Sequence, residues 1–136
     1  MINTDQKQIT TDLLYADLTY KLRGAMFAVF NELGFGHKEQ IYQRALEKEL
    51  TSKNIPYRQE VYLPIKYHGE NVGNYRPDLV IDDKIIVELK SVEFMPITYE
   101  TQLLQYLKLT NFNLGLLANF GRPKLFIKRI IWTPNE

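Results

Sequence analysis

Two runs of strand-forming residues within RPDLVIDDKIIVELKS, residues 76–91, carry charges that an ordinary sheet avoids. Asp78 lies in the first run, and Glu88 and Lys90 lie in the second. The connector Asp82-Asp83-Lys84 has the short polar residues that suit a turn. With a three-residue loop, Ile81 pairs with Ile85 and Asp78 falls opposite Glu88 on one face, with Cβ atoms roughly 4.5–5.5 Å apart. Lys90 is two residues further on and shares that face, whereas Val87 and Leu89 turn to the other, into a core. A two-residue loop would shift the register by one and place the acids on opposite faces.

Facing carboxylates repel, and a divalent cation between them reverses the sign of the interaction. The chain has no cysteine, which removes thiolate zinc sites, iron–sulfur clusters and disulfides. Hard oxygen donors point instead to Mg²⁺ or Mn²⁺. Such an ion polarises a phosphoryl oxygen and lowers the pKa of a coordinated water. A neighbouring ammonium, Lys90, would orient or deprotonate that water or stabilise charge on the phosphate. These are the parts that phosphodiester hydrolysis needs. The competing expectation is an exposed hairpin face whose acids are solvated and partly paired with Lys90.

The rest of the chain supplies a setting for that hairpin. At 136 residues the size prior is one domain, expected over 10–136 after a loose 1–9. No long apolar run or signal-peptide pattern appears, so a soluble, cytoplasmic protein without membrane contact is expected. From an N-cap at Thr11 or Asp12, the spacing of Leu14, Leu18, Leu22, Met26, Val29 and Leu33 predicts a helix ending near Gly34. A second helix is predicted over about 37–52, with Ile41, Tyr42, Ala45, Leu46 and Leu50 on its apolar face. Strands follow at 58–67, where Pro64 signals an edge or bulge, and at 72–81 and 85–91, with a turn around His68-Gly69-Glu70-Asn71. A helix over about 97–110 precedes the strands NLGLLANF and KLFIKRIIW. This order, α-α-β-β-β-α-β-β, predicts an α/β (α+β) fold with a central mixed β-sheet flanked by helices.

The net charge of +1 decides little, since a chain held on nucleic acid by bulk electrostatics is usually more basic. Any such contact requires a local patch, and GRPKLFIKRI offers Arg122, Lys124, Lys128 and Arg129 without an intervening acid. The same segment also reads as a basic edge strand that discourages edge-to-edge pairing.

Pro77-Asp78, followed by Glu88-Leu89-Lys90, resembles the PD-(D/E)XK motif of the restriction-endonuclease-like superfamily. Gly36-His37-Lys38-Glu39-Gln40-Ile41-Tyr42 resembles the motif that names the GxxExxY protein family. Ala45, Leu46 and Leu50, the VELK segment, Gln102 with Tyr106-Leu107, and GLLANFG at 115–121 are similar to that family in order and spacing, over roughly residues 15–132. The resemblance implies a restriction-endonuclease-like core and a metal-dependent nuclease acting on DNA or RNA. It implies that Asp78, Glu88 and the Leu89 carbonyl hold Mg²⁺ (or Mn²⁺), that Glu39 supports the metal, and that Lys90 serves the attacking water. Gln102 and Tyr106 resemble the QxxxY motif of RecB-like nucleases and, four residues apart, share a helix face. They would line a substrate groove with Arg76, Lys124, Lys128, Arg129 and Tyr42, although packing is the favoured reading of Tyr42.

The chain departs from many family members at Phe35, commonly proline, and at Phe30, commonly histidine. His37 and His68 have no metal-ligand spacing and read as exposed polar residues. Two other classes fit the same residues. One is a non-catalytic module that keeps the fold to bind nucleic acid or protein. The other is a homo-oligomeric scaffold assembled through the first helix or the last strand. Strong target specificity would require a protein partner.

Overall fold

Leu22, Ala25, Met26 and Val29 recur at helical spacing and are fully or almost fully buried, which defines the inner stripe of helix α1 (Ala16–Leu33). The structure, a computed structural model, describes residues 14–134; the expected loose 1–9 and the caps at Thr11 and Asp12 lie outside the described residues. The helix stops at Gly34, whose φ of 75° suits glycine and whose N–H returns to Phe30 O at 2.8 Å. Helix α2 (Glu39–Ser52) buries Tyr42, Leu46 and Leu50, but Ile41, expected on that face, is largely exposed.

The strands are β1 (Tyr57–Gln59), β2 (Leu63–Tyr67), β3 (Glu70–Tyr75), β4 (Leu79–Ile81) and β5 (Ile85–Lys90). Helix α3 (Thr98–Thr110), β6 (Leu114–Asn119) and β7 (Phe126–Ile131) complete the described order. The mixed sheet runs β1-β4-β5-β6-β7, with β5 and β6 parallel and its other pairs antiparallel, while β2 and β3 form a separate hairpin. The expected architecture and order hold, with two strands each broken in two. The 58–67 run breaks around Glu60, at a φ of 57°. The 72–81 run breaks at Arg76-Pro77, because proline lacks the N–H a ladder uses. Pro64 lies in β2, which pairs on one side and shifts register between Ile65 and Lys66.

The hairpin loop decides the site. Asp82 and Asp83 adopt φ of 51° and 53°, a left-handed pair that short acidic side chains tolerate. Ile81 therefore pairs with Ile85, Val80 with Ile86 and Leu79 with Val87, the three-residue-loop register. Val87 and Leu89 join the core under α1 and α2, whereas Ile86 joins a second core with Val80, Leu103, Leu107 and Leu117 beneath α3. Glu88 shares the face of Ile86, so it is half-buried below α3 and not on an open hairpin.

The parallel β5–α3–β6 unit brings Lys90 and Asn119 side by side at the carboxyl ends of their strands, where open α/β sheets tend to place ligands. A close backbone crossing holds this end together. A Cβ on Gly121 would press into the Val92 backbone and come within 2.7 Å of the Ser91 carbonyl carbon, so glycine alone fits. Asn119, buried, donates to Val92 O and accepts from Val92 N, each at 3.0 Å. Among the described residues no helix is long and apolar enough to cross a membrane.

Candidate active site

Asp78 and Glu88 hold each other through the backbone. Leu89 N–H donates to Asp78 Oδ2 at 2.7 Å, and Asp78 N–H donates to Glu88 Oε1 at 3.3 Å. Tyr75 OH donates to the same Glu88 Oε1 at 2.6 Å, and Gln43 secures the Asp78 carbonyl at 3.2 Å. One oxygen of each carboxylate is thus fixed. Asp78 Oδ1 and Glu88 Oε2 accept no hydrogen bond among the described residues and are not sealed from solvent. A strand residue points its N–H and C=O to the same side, so the Leu89 carbonyl also faces Asp78.

The electrostatics agree with this geometry. Burial, followed by the charge of Asp78, pushes the Glu88 carboxyl up to about 7; the Tyr75 hydrogen bond and Lys90 oppose the shift. Burial also raises Asp78, against the Leu89 N–H bond and the Lys90 charge. Lys90 sets its ammonium 4.4 Å from the centre of the Tyr99 ring, which steers it by a cation–π contact. Burial and the Glu88 charge raise the Tyr75 hydroxyl far above the ordinary tyrosine range, so it stays a donor.

Tyr75, Glu88, Lys90, Tyr99, Gln102 and Tyr106 line a pocket of about 30 Å³, room for a water molecule. Tyr75 and Tyr106 stack at 3.8 Å with their planes 7° apart, which joins the β2–β3 hairpin to α3 beside Glu88. Gln102 is exposed on the same wall. A larger depression of about 520 Å³ between α2 and β1, lined by Arg44, Glu47, Lys48, Thr51, Ser52 and Tyr57, contains none of the perturbed groups.

The remaining expected site residues are not all brought together. Glu39 begins α2 and accepts Ser91 N–H at 3.3 Å; its charge reaches Asp78 and helps raise that carboxyl. Among the described residues no three His, Asp or Glu side chains gather as a metal site made of side chains alone would need. The oxygen donors on offer are the Asp78 and Glu88 carboxylates and the Leu89 carbonyl on the same strand edge. This hard oxygen set still fits a Mg²⁺-like ion, which keeps several of its waters.

Tyr42 is a correction. It is fully buried, stacks on Phe120 at 4.4 Å, donates to Gly34 O at 2.6 Å and accepts from His37 N–H at 3.1 Å, so it cannot line a groove. Together with Gly36, whose N–H bonds Phe120 O, and Ser91, whose hydroxyl bonds His37 O, it fastens the α1–α2 turn to the ends of β5 and β6. Tyr42→Phe should lower the melting free energy by about 1–3 kcal/mol through the orphaned Gly34 and His37 groups. Denaturant unfolding checks this, and nucleic-acid affinity should not change.

Arg129 is a second correction. Side chains alternate along β7, so Lys128 faces α3, 4.0 Å from Glu100, while Arg129 faces the other way and donates to Leu14 O at 2.9 Å. The two cannot share one groove. Arg76 is exposed beside the site; it lies 3.8 Å from Glu60 and over Tyr62, and its charge lowers Asp78. Tyr75 and Tyr99 did not stand out in the sequence. The signal for Tyr75 was its position three residues before Asp78, with Pro77 forcing the bend between them.

A protein-family model described as the PD-(D/E)XK nuclease superfamily matches residues 16–130. Among solved structures the chain is similar to the crystal structure of SSO0001, with 24 % identity and a TM-score of 0.54, covering 71 % of this chain and 52 % of that one. It is also similar to an alkaline exonuclease (LHK-Exo) from Laribacter hongkongensis, with 15 % identity and a TM-score of 0.49, over 69 % of this chain and 55 % of that one. The chain spans about half the length of these structures. No curated protein matches it.

Proposed function

The chain belongs to the PD-(D/E)XK nuclease superfamily, and we propose that its Asp78–Glu88–Lys90 site hydrolyses phosphodiester bonds of DNA or RNA with the help of Mg²⁺ or Mn²⁺. Within the superfamily we place it with the GxxExxY proteins, on Gly36, Glu39 and Tyr42. One observation carries the reading. Two half-buried carboxylates each spend one oxygen on the other's strand backbone and keep a second without a hydrogen bond among the described residues, and Glu88 shares its pocket with Lys90.

Asp78, Glu88 and the Leu89 carbonyl would hold the cation. When bound, it supplies Lewis acidity to the scissile phosphate and makes water easier to deprotonate. The side chains do the rest. Tyr75 keeps Glu88 turned toward Asp78. Lys90, held over Tyr99, directs its positive charge at the pocket, where it orients the attacking water or stabilises charge on the phosphate. Gln102 offers an amide on the opposite wall to position water or phosphate. Glu39 acts from a distance through its field on Asp78. A partner or a second copy of the chain would supply whatever target specificity is needed.

The test is incubation of DNA and RNA with the purified protein and Mn²⁺, with Asp78→Asn in parallel. Cleavage by the wild type alone is expected. Equal cleavage by both proteins would place the activity elsewhere, and no cleavage of any substrate by the wild type would leave a binding module.

A further inference from the structure

We infer that the surface running from Lys90 to Phe126 binds single-stranded nucleic acid in preference to duplex, through exposed aromatic rings backed by Arg122 and Lys124. The inference rests on the nuclease reading for the identity of the substrate, and it adds the strandedness and the residues that read it.

Lys90, Asn119 and Phe126 are register partners across β5, β6 and β7, so Phe126 stands two strand spacings, roughly 10 Å, from the lysine. Phe126 shares its face with Lys128, which approaches Glu100 of α3, and this is the face of Glu88. A cleft of about 420 Å³ opens there, lined by Met95, Glu100, Asn119, Arg122, Lys124 and Phe126 among others. The small pocket at Lys90 and this larger cleft at Asn119 thus lie next to each other on one face of the sheet, since Lys90 and Asn119 are register partners.

The 91–97 connection contributes Met95 to the lining. It is tied down at Val92 by both bonds from Asn119, yet immediately afterwards it presents Phe94 at 77 % and Ile97 at 69 % exposure. Phe126, also in the lining, is 43 % exposed. Large apolar side chains held out on a tethered loop beside a polar site mark a contact surface. Arg122 and Lys124 are exposed and, among the described residues, form no ion pair, whereas Lys128 lies close to Glu100.

Aromatic faces next to unpaired cations match the chemistry of a single strand. Its bases can stack on the rings while its phosphates lie against the cations. In a duplex the base faces are already stacked on one another and cannot reach Phe94 or Phe126. Glu100 repels phosphate at one point of the cleft, which leaves the backbone the Arg122–Lys124 side.

The experiment measures fluorescence anisotropy of a labelled single strand and of the same sequence as a blunt duplex, with the full chain carrying Asp78→Asn, in EDTA. The single strand should bind roughly tenfold more tightly or better, and Phe94→Ala or Phe126→Ala should weaken it by about 5- to 100-fold. Arg122→Ala and Lys124→Ala should weaken binding and flatten its salt dependence. Melting curves verify that these surface variants are folded. Duplex binding equal to or tighter than single-strand binding overturns the inference, as do Phe variants that bind like their parent. Binding is read without cleavage, so the two ideas fail separately. A wild type that never cuts but prefers single strands sinks the hydrolytic reading alone. A wild type that cuts duplex and is indifferent to both phenylalanines sinks this inference alone.

Discussion

Lys90→Met should lower the rate of the proposed phosphodiester cleavage by about 10²–10⁴-fold, the usual weight of a positioned proton-transfer or charge-stabilising group. Methionine keeps an unbranched apolar stem that can rest against Tyr99, where the ammonium now lies 4.4 Å from the ring centre. The ammonium alone is lost. Stability should therefore change by no more than about 1 kcal/mol, which separates a chemical role from a structural one. Single-turnover cleavage in Mn²⁺, with denaturant melts of the same preparations, gives both readouts. A variant that keeps more than half of the wild-type rate would remove Lys90 from the chemistry.

Glu88→Gln, by contrast, should stabilise the cation-free protein while abolishing the proposed activity. Burial and the charge of Asp78 push the Glu88 carboxyl from its ordinary 4.5 up to about 7 in the folded protein. The folded state therefore binds that proton more tightly than the unfolded state does. The stability this lends is fully present below the unfolded value and is lost as pH rises through about 7. Glutamine remains neutral throughout and can still accept from Tyr75 and Asp78 N–H.

At about pH 8 in EDTA the variant should be more stable by about 2–3 kcal/mol, or roughly 5–10 °C in Tm; at about pH 4 the two proteins should melt together. Mn²⁺ should then raise the Tm of the wild type and leave the variant unmoved. Coincident melting curves at both pH values would mean that the acid pair is not under strain. A site that loses stability to keep two acids together is the pattern expected where function, not folding, selects the residues.

Much of this site could be read from 16 consecutive residues, 76–91. The sequence left two loop lengths open, and the structure chose the three-residue one, with Asp82 and Asp83 in left-handed backbone that would be costly for bulkier residues. Once Ile81 faced Ile85, the period of two carried Asp78 opposite Glu88 and put Lys90 beside them. The breaks at Glu60 and Pro77 were harder to read. An apolar run states where a strand is favourable, not which neighbour it will pair with, and β2–β3 left the main sheet altogether.

The sequence by itself determined the order of helices and strand runs and the acid–acid–lysine set, because these depend on local backbone preference and on side-chain alternation, while the choice between two hairpin registers came from the structure. Tertiary structure alone decided what surrounds them. Tyr75 reaches Glu88 only because the detached hairpin folds back under α3, and Tyr99 meets Lys90 only because that helix crosses the sheet. Tyr42 went to the core, although its motif placed it next to Glu39, because helix α2 turns the two residues to different surroundings. Lys128 and Arg129, neighbours in sequence, ended on opposite faces of β7. Contacts of this kind link residues far apart in the chain through packing, and no local pattern encodes that packing.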